Sequence, residues 1–219
     1  MKILFSLCFL FSNVALLAQE AGVYVVNKGE VATRVIPENE QYRFPSFRTG
    51  EVFFHDGKKV SATLNFHLLY AEVEFMDQGT PLALDYGNLL KEVRIDNITF
   101  LYSTKYGYLE MVTDDPSLNL AVHHRLQTTK SQIDFQHGFV NLREFYNRKT
   151  PGTIWIERAY TPFLVDHNRQ VHPAEWRSLR KIFPDHQREL KNFLKEEEIR
   201  FTHLEDLQKL ADFCNELEL

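Results

Sequence analysis

The stretch EVFFHDGKKVSATLNFHLL, residues 51–69, decides the fold class. Val52-Phe53-Phe54 runs into Asp56-Gly57, and a second run follows in which Val60, Ala62, Leu64, Phe66 and Leu68 alternate with Lys59, Ser61, Thr63, Asn65 and His67. A period of two over that length specifies a strand with one buried and one solvated face. Asp-Gly accepts the positive φ of a tight turn, so the pair predicts a β-hairpin with a two-residue connection. Val73 and Phe75, opposite Glu72 and Glu74, extend the same pattern into a further strand.

Short apolar runs then recur at residues 82–84, 93–95, 98–102, 108–112 and 118–124, with Gly, Asn, Asp or Pro between them. Such spacing predicts an antiparallel meander curling into a barrel-like or sandwich-like body. Val23 to Val26 reads as a possible strand before an irregular approach through Pro37 and Pro45. Residues 127–149 are ambiguous, since Val140, Leu142 and Phe145 suit either a strand or a short helix. Ile154 to Ala159 reads as another strand. Phe163 to Val165, followed by His167-Asn168-Arg169 and Val171, reads as a last hairpin.

From Pro173 the period changes. Trp176, Leu179, Ile182 and Phe183 fall at helical spacing, and Pro184 both stops that helix and suits the first turn of the next. Leu190, Phe193 and Leu194 form the second stripe. Thr202 with Glu205 matches a capping box ahead of a third, built on Leu204, Leu207, Leu210, Ala211, Cys214 and Leu217. The expected fold is α+β, with an N-terminal antiparallel meander and about three C-terminal amphipathic helices packed on it. The chain divides into residues 1–18, a lead-in at 19–49, a β-rich domain at 50–172 and a helical segment at 173–219. Eight basic and 11 acidic residues are interspersed along that last segment, which reads as solvated helix faces and not a binding patch.

Residues 1–18, MKILFSLCFLFSNVALLA, have the pattern of a secretory signal peptide: Lys2, an uncharged run from Ile3 to Leu17, and Ala18 before Gln19. Leu16 is a defect at a position that favours small residues, so the cut site is less defined than the signal. A retained anchor helix is the alternative. The run is shorter than the roughly 20 apolar residues of a membrane span, and no transmembrane segment is expected in the mature chain. The expected destination is the periplasm or the exterior. Cys8 leaves with the signal, so Cys214 has no partner for a disulfide and reads as a buried thiol.

The 30 acidic residues outnumber the 25 basic ones, for a net charge of −5, and no basic block appears, which argues against nucleic-acid binding. Nine histidines, at positions 55, 67, 123, 124, 137, 167, 172, 186 and 203, are the main reservoir of catalytic or metal-binding groups. No pair has the spacing of a zinc helix. His123 and His124 point to opposite faces of a strand, whereas Asp166, His167 and His172 could converge across the last hairpin. The acid pairs Glu72 with Glu74 and Asp114 with Asp115 read as a solvated strand face and a turn. Gly-x-Ser-x-Gly and glycine-rich phosphate loops are absent, Asn97-Ile98-Thr99 reads as a strand entry, and no cofactor is expected. Tyr102, Tyr106 and Tyr108 would offer a partner or glycan surface if they faced outward together.

The segments Tyr42-Arg43-Phe44-Pro45-Ser46-Phe47, residues 49–60, Leu64-Asn65-Phe66 and Ile182-Phe183-Pro184-Asp185, with the Glu189-Leu190-Lys191 helix and Glu205-Asp206-Leu207, resemble a family of uncharacterised secreted proteins of Bacteroidota. The Leu-Ala-Gln cut region is similar to signals from that phylum. The resemblance implies export and this architecture, and brings no activity, catalytic residue or ligand. The residues leave two readings open. One is a non-enzymatic binding or structural module that meets an envelope protein or glycan. The other is a hydrolase or metal-dependent enzyme whose His, Asp and Glu groups assemble only in three dimensions.

Overall fold

The computed structural model describes residues 22–131 and 141–217. The signal-like stretch 1–18, His137 and Val140 lie outside the described residues. Eleven antiparallel strands make one sheet. In chain order they are β1 Tyr24–Val26, β2 Arg48–Phe54, β3 Lys59–His67, β4 Glu72–Asp77, β5 Thr80–Ala83, β6 Leu90–Ile95, β7 Ile98–Ser103, β8 Gly107–Met111, β9 Leu118–Ser131, β10 Ile154–Asp166 and β11 Val171–Pro173. Their spatial order is β1-β10-β9-β8-β7-β6-β2-β3-β4-β5, with β11 beside β10. Three helices close the described chain: α4 Trp176–Ile182, α5 Gln187–Glu196 and α6 Leu204–Leu217. Three short ones precede them, α1 Ala32–Val35, α2 Glu38–Gln41 and α3 Leu142–Asn147. The chain is α+β, but the lead-in is partly helical and the ambiguous Leu142–Phe145 stretch is a helix turn.

The sheet is open, correcting the expectation of a barrel or sandwich. Its two edges, β1 and β5, are not paired with each other, and the lead-in bonds to the backbone at the end of β3. Arg43 N–H donates to the Phe66 carbonyl at 2.8 Å, and Leu68 N–H to the Gln41 carbonyl at 2.7 Å. One further backbone bond, from Leu126 N–H to the Leu68 carbonyl, links this end to the middle of β9. The β2–β3 connection also differs from expectation. Phe54 N–H bonds the Lys58 carbonyl and Gly57 sits at φ +86°, so three residues turn the chain, with the glycine in the left-handed position. The two-residue left-handed turn occurs instead at Gln78-Gly79, between β4 and β5.

Burial follows from this layout. Leu64, Phe66, Val93 and Phe100 share a core with Leu126, Ile154 and Ile156, where the Phe66 and Phe100 rings stack at 5.3 Å. Leu118, Leu120 and Leu164 join Leu179, Phe183, Leu190, Leu207, Leu210 and Cys214 in a second core under the helices. The Asn215 side chain docks α6 on β9, accepting from the N–H of Ser117 and Leu118 and donating to the Leu118 carbonyl. The expected capping box is replaced: the Thr202 hydroxyl meets the His203 ring, and Asp206 turns back to bond Arg200 N–H. Leu101, Leu109, Ala121, Phe163 and Val165 form a smaller cluster on the opposite face of the sheet.

Gly50 lies where β2 is squeezed between β3 and β6. A Cβ there would sit 2.4 Å from the Arg94 carbonyl oxygen and 2.8 Å from Leu64. Gly50→Ala is expected to destabilise the fold by about 1–3 kcal/mol, read as a lowered urea midpoint with an unchanged slope.

Candidate functional site

The expected alternation of β3 appears only around Ser61 to Leu64 and fails at both ends of the strand. Val60 is 53% exposed, as an edge position can be, whereas Asn65 and His67 are buried along with Leu64 and Phe66. Glu74 in β4 is likewise buried, at 1% exposure. These residues were expected on a wet face, but Tyr42 and Phe44 of the lead-in, together with Tyr70 and with Arg143 of α3, lie against it. Burial obliges each polar group to find a partner. Asn65 does so through the backbone, accepting from Phe44 and Phe66 N–H and donating to the Phe44 carbonyl.

Around His67 and Glu74 the cover is incomplete and leaves a cavity of about 420 Å³. Its inner wall is Tyr42, His67, Tyr70, Glu74 and Arg143, and its rim includes Arg34, Pro37, Glu38 and Pro81. The Tyr42 hydroxyl donates to Glu74 Oε2 at 2.7 Å, and Arg143 bonds both Glu74 and Glu72. Tyr70 lies parallel to the His67 ring at 3.8 Å, with the Arg143 guanidinium 4.2 Å from its centre. Two groups cannot share one ring face at those distances, so Tyr70 is sandwiched between imidazole and guanidinium. Asn147 of α3 fixes the tyrosine further, donating to its hydroxyl at 2.7 Å.

This arrangement sets the charges. Burial, helped by the nearby Arg143 cation, lowers the His67 pKa to about 3, so its imidazole is neutral at ordinary pH. Its Nδ1 accepts from Tyr70 N–H at 3.4 Å. Burial raises the Tyr42 hydroxyl well above its usual range, reinforced by the bond to Glu74. Burial also raises Glu72, against the opposing pull of Arg143. The carboxylates, the phenol and the guanidinium are thus committed to one another. Arg34 and Glu38 at the rim are exposed and make no ion pair among the described residues.

The other sequence candidates fall elsewhere. His123 and His124 point to opposite faces of β9, as expected. His124 Nε2 lies 3.3 Å from Glu110 Oε2, and Arg43 grips the same carboxylate with Nε at 2.8 Å and Nη2 at 3.0 Å. Burial alone would raise Glu110, but its contacts with His124 and Arg43 outweigh that and lower the carboxyl to about 2. His123 is lowered to about 4, chiefly by burial, and its Nε2 has no hydrogen-bond partner among the described residues. Asp166 and His172 converge, 2.9 Å apart, while His167 turns to the Asn168 side chain instead. The Asp166 carboxylate also holds the β10–β11 turn by accepting from Asn168 and Gln170 N–H.

Asp114 and Asp115 stay in a loop, and Cys214 is fully buried. The three tyrosines do not face outward together. Tyr108 is buried and donates to the Leu84 carbonyl, Tyr102 packs on it, and Tyr106 packs on Phe163 of the opposite face. No group of three metal-ligating side chains occurs among the described residues, and no described helix is long and apolar enough to cross a membrane. Sequence reasoning missed Tyr70 and Arg143 because the two lie far apart in the chain. Only Glu72-x-Glu74 beside His67-x-x-Tyr70 hinted at the cluster.

Two outcomes follow for stability. Arg143→Ala leaves Glu74 buried with Tyr42 alone and, because Arg143 is itself two-fifths exposed, is expected to cost about 1–3 kcal/mol rather than the full cost of breaking a buried pair. Acid acts on the histidines first. Between pH 6.5 and about 3 the unfolded chain binds a proton that folded His67 refuses, so stability falls as pH falls through that window. Glu110, held near 2 instead of 4.5, withdraws its contribution as pH drops from 4.5 towards 2. Urea midpoints followed downward from neutral pH should therefore decline from about 6.5, and His67→Asn should flatten the first part of that decline, leaving the share due to His123. Comparison with known proteins adds no constraint on this site: no family model, no curated protein and no solved structure matches the chain.

Proposed function

We propose that this chain is an exported, non-enzymatic binding module of the cell envelope, and that it meets an envelope protein or glycan at the cavity beside Tyr42, His67 and Arg143. The carrying observation is the contrast between the cavity's wall and its rim. Every carboxylate of the wall is bonded to a cation or a phenol, and the imidazole is stacked and far from titrating near neutrality. A general acid or base needs a pKa close to the working pH, which this wall withholds. The rim offers an unpaired cation, an unpaired carboxylate and two prolines, which suits recognition of a polar partner. Export rests on the signal-like residues 1–18 and on the resemblance to secreted proteins of Bacteroidota.

One observation favours the hydrolase reading: His67, Glu72 and Glu74 line or border a single cavity. The two readings part on a direct test. Purified protein is screened for binding to envelope glycans and solubilised envelope proteins, and in parallel for turnover of ester, amide and glycoside substrates. The binding reading expects a ligand whose affinity drops by about tenfold in Arg34→Glu or Glu38→Arg, as interface charges can, with no turnover. Turnover that disappears in His67→Asn would establish the hydrolase. Export is checked by the N-terminal mass of protein from the envelope fraction, where Gln19 is the expected first residue and Met1 would refute it.

A further inference from the structure

We infer that the corner between α4 and α5 is a second binding site, which takes the phosphoryl group of an anionic ligand. A hollow of about 310 Å³ opens there, lined by Arg177, Arg180, Lys181 and Gln187. The three cations stand at positions i, i+3 and i+4 of α4, on one face of the helix, where like charges repel. The negative end of the helix dipole accounts for Arg180 and Lys181, which occupy the last turn. It does not account for Arg177, the second residue of the helix, where the dipole opposes a cation.

Carboxylates do not explain the cluster either. Arg43, Arg94, Arg143, Arg158, Arg169 and Arg200 each reach one within 4.0 Å. Arg177, Arg180 and Lys181 reach none among the described residues, although the chain as a whole is acidic. Asp185 and Glu189 are near in sequence but are not part of the lining. The Gln187 amide, held by its bond to the Pro184 carbonyl at 3.0 Å, adds a polar side to the hollow.

The ligand chemistry follows from the number and shape of the donors. One carboxylate is satisfied by a single guanidinium fork. Two forks and an ammonium suit a group with up to two negative charges and several equivalent oxygens, which is a phosphoryl group. A soluble phosphate compound and an anionic lipid headgroup present the same chemistry, so the test separates them. The full chain is titrated with inorganic phosphate and, separately, sedimented with vesicles of phosphatidylglycerol or phosphatidylcholine.

Binding is expected to phosphate, to the phosphatidylglycerol vesicles or to both, weakening with salt. Phosphate binding marks a soluble ligand, and vesicle binding without it marks a lipid headgroup. R177Q/R180Q/K181Q should reduce the affinity at least ~10-fold, the loss of charge-assisted bonds, with an unchanged thermal midpoint. R177Q alone gives a smaller loss should the triple variant melt early. K191Q/K195Q, on exposed positions of α5, and Arg34→Glu, at the other cavity, should leave binding as it was. Absence of binding to either probe, equal binding to phosphatidylcholine, or binding that survives both the triple and the single substitution would overturn the proposal.

Discussion

The antiparallel pairing of β9 with β10 is the constraint on which the rest of the molecule depends. Its register runs from Leu118 against Asp166 to Ser131 against Ile154, with one irregularity at Trp155/Ile156. Because side chains alternate along a strand, the even-numbered residues of β9 up to Leu126 share one face. Leu118 and Leu120 at one end of that face seat the C-terminal helices, and Leu126 at the other end enters the core of the curled sheet. One ribbon therefore belongs to two cores, and a slip of one residue would empty both. Pro162 is tolerated within it because β10 has no second neighbour there: β1 covers residues 154–156 and β11 covers 163–165.

A second theme is the handling of buried acids. Glu74, Glu92 and Glu110 are all buried, and each is reached by arginine from a distant part of the chain. Arg143 comes from α3, Arg169 from the β10–β11 turn and Arg43 from the lead-in. Such pairs gain little net stability, since desolvation offsets most of the attraction, but leaving one partner alone is costly. They hold the irregular segments against the sheet in one arrangement. The same pairing commits these carboxylates to structural contacts.

Much of the layout was legible from local signals. The runs at 52–54, 60–66, 73–75, 93–95, 98–102, 118–124 and 163–165 all fall in strands, and Pro184 separates α4 from α5 as its lost N–H requires. The short helices at 32–35 and 38–41 escaped because a single turn carries no periodic stripe. His67 and Glu74 were assigned to a solvated face by alternation, which reports the sheet's pleat and is blind to what later covers it. Cys214 was placed correctly because its neighbours at helical spacing are all apolar.

By itself, then, the sequence determined the α+β class, the strand positions, the period change after Pro173 and the acidic charge balance, because each of these is a property of neighbouring residues. It also carries a signal-like N-terminus and supports the expectation of export. Only the tertiary structure decided that the sheet stays open, that Tyr42, Phe44 and Arg143 come to lie against the second face of β3 and β4, and that Tyr42, His67, Tyr70, Glu74 and Arg143 meet around one cavity. Those outcomes depend on contacts between residues tens of positions apart. Local periodicity carries no information about which distant segment will satisfy a buried polar group.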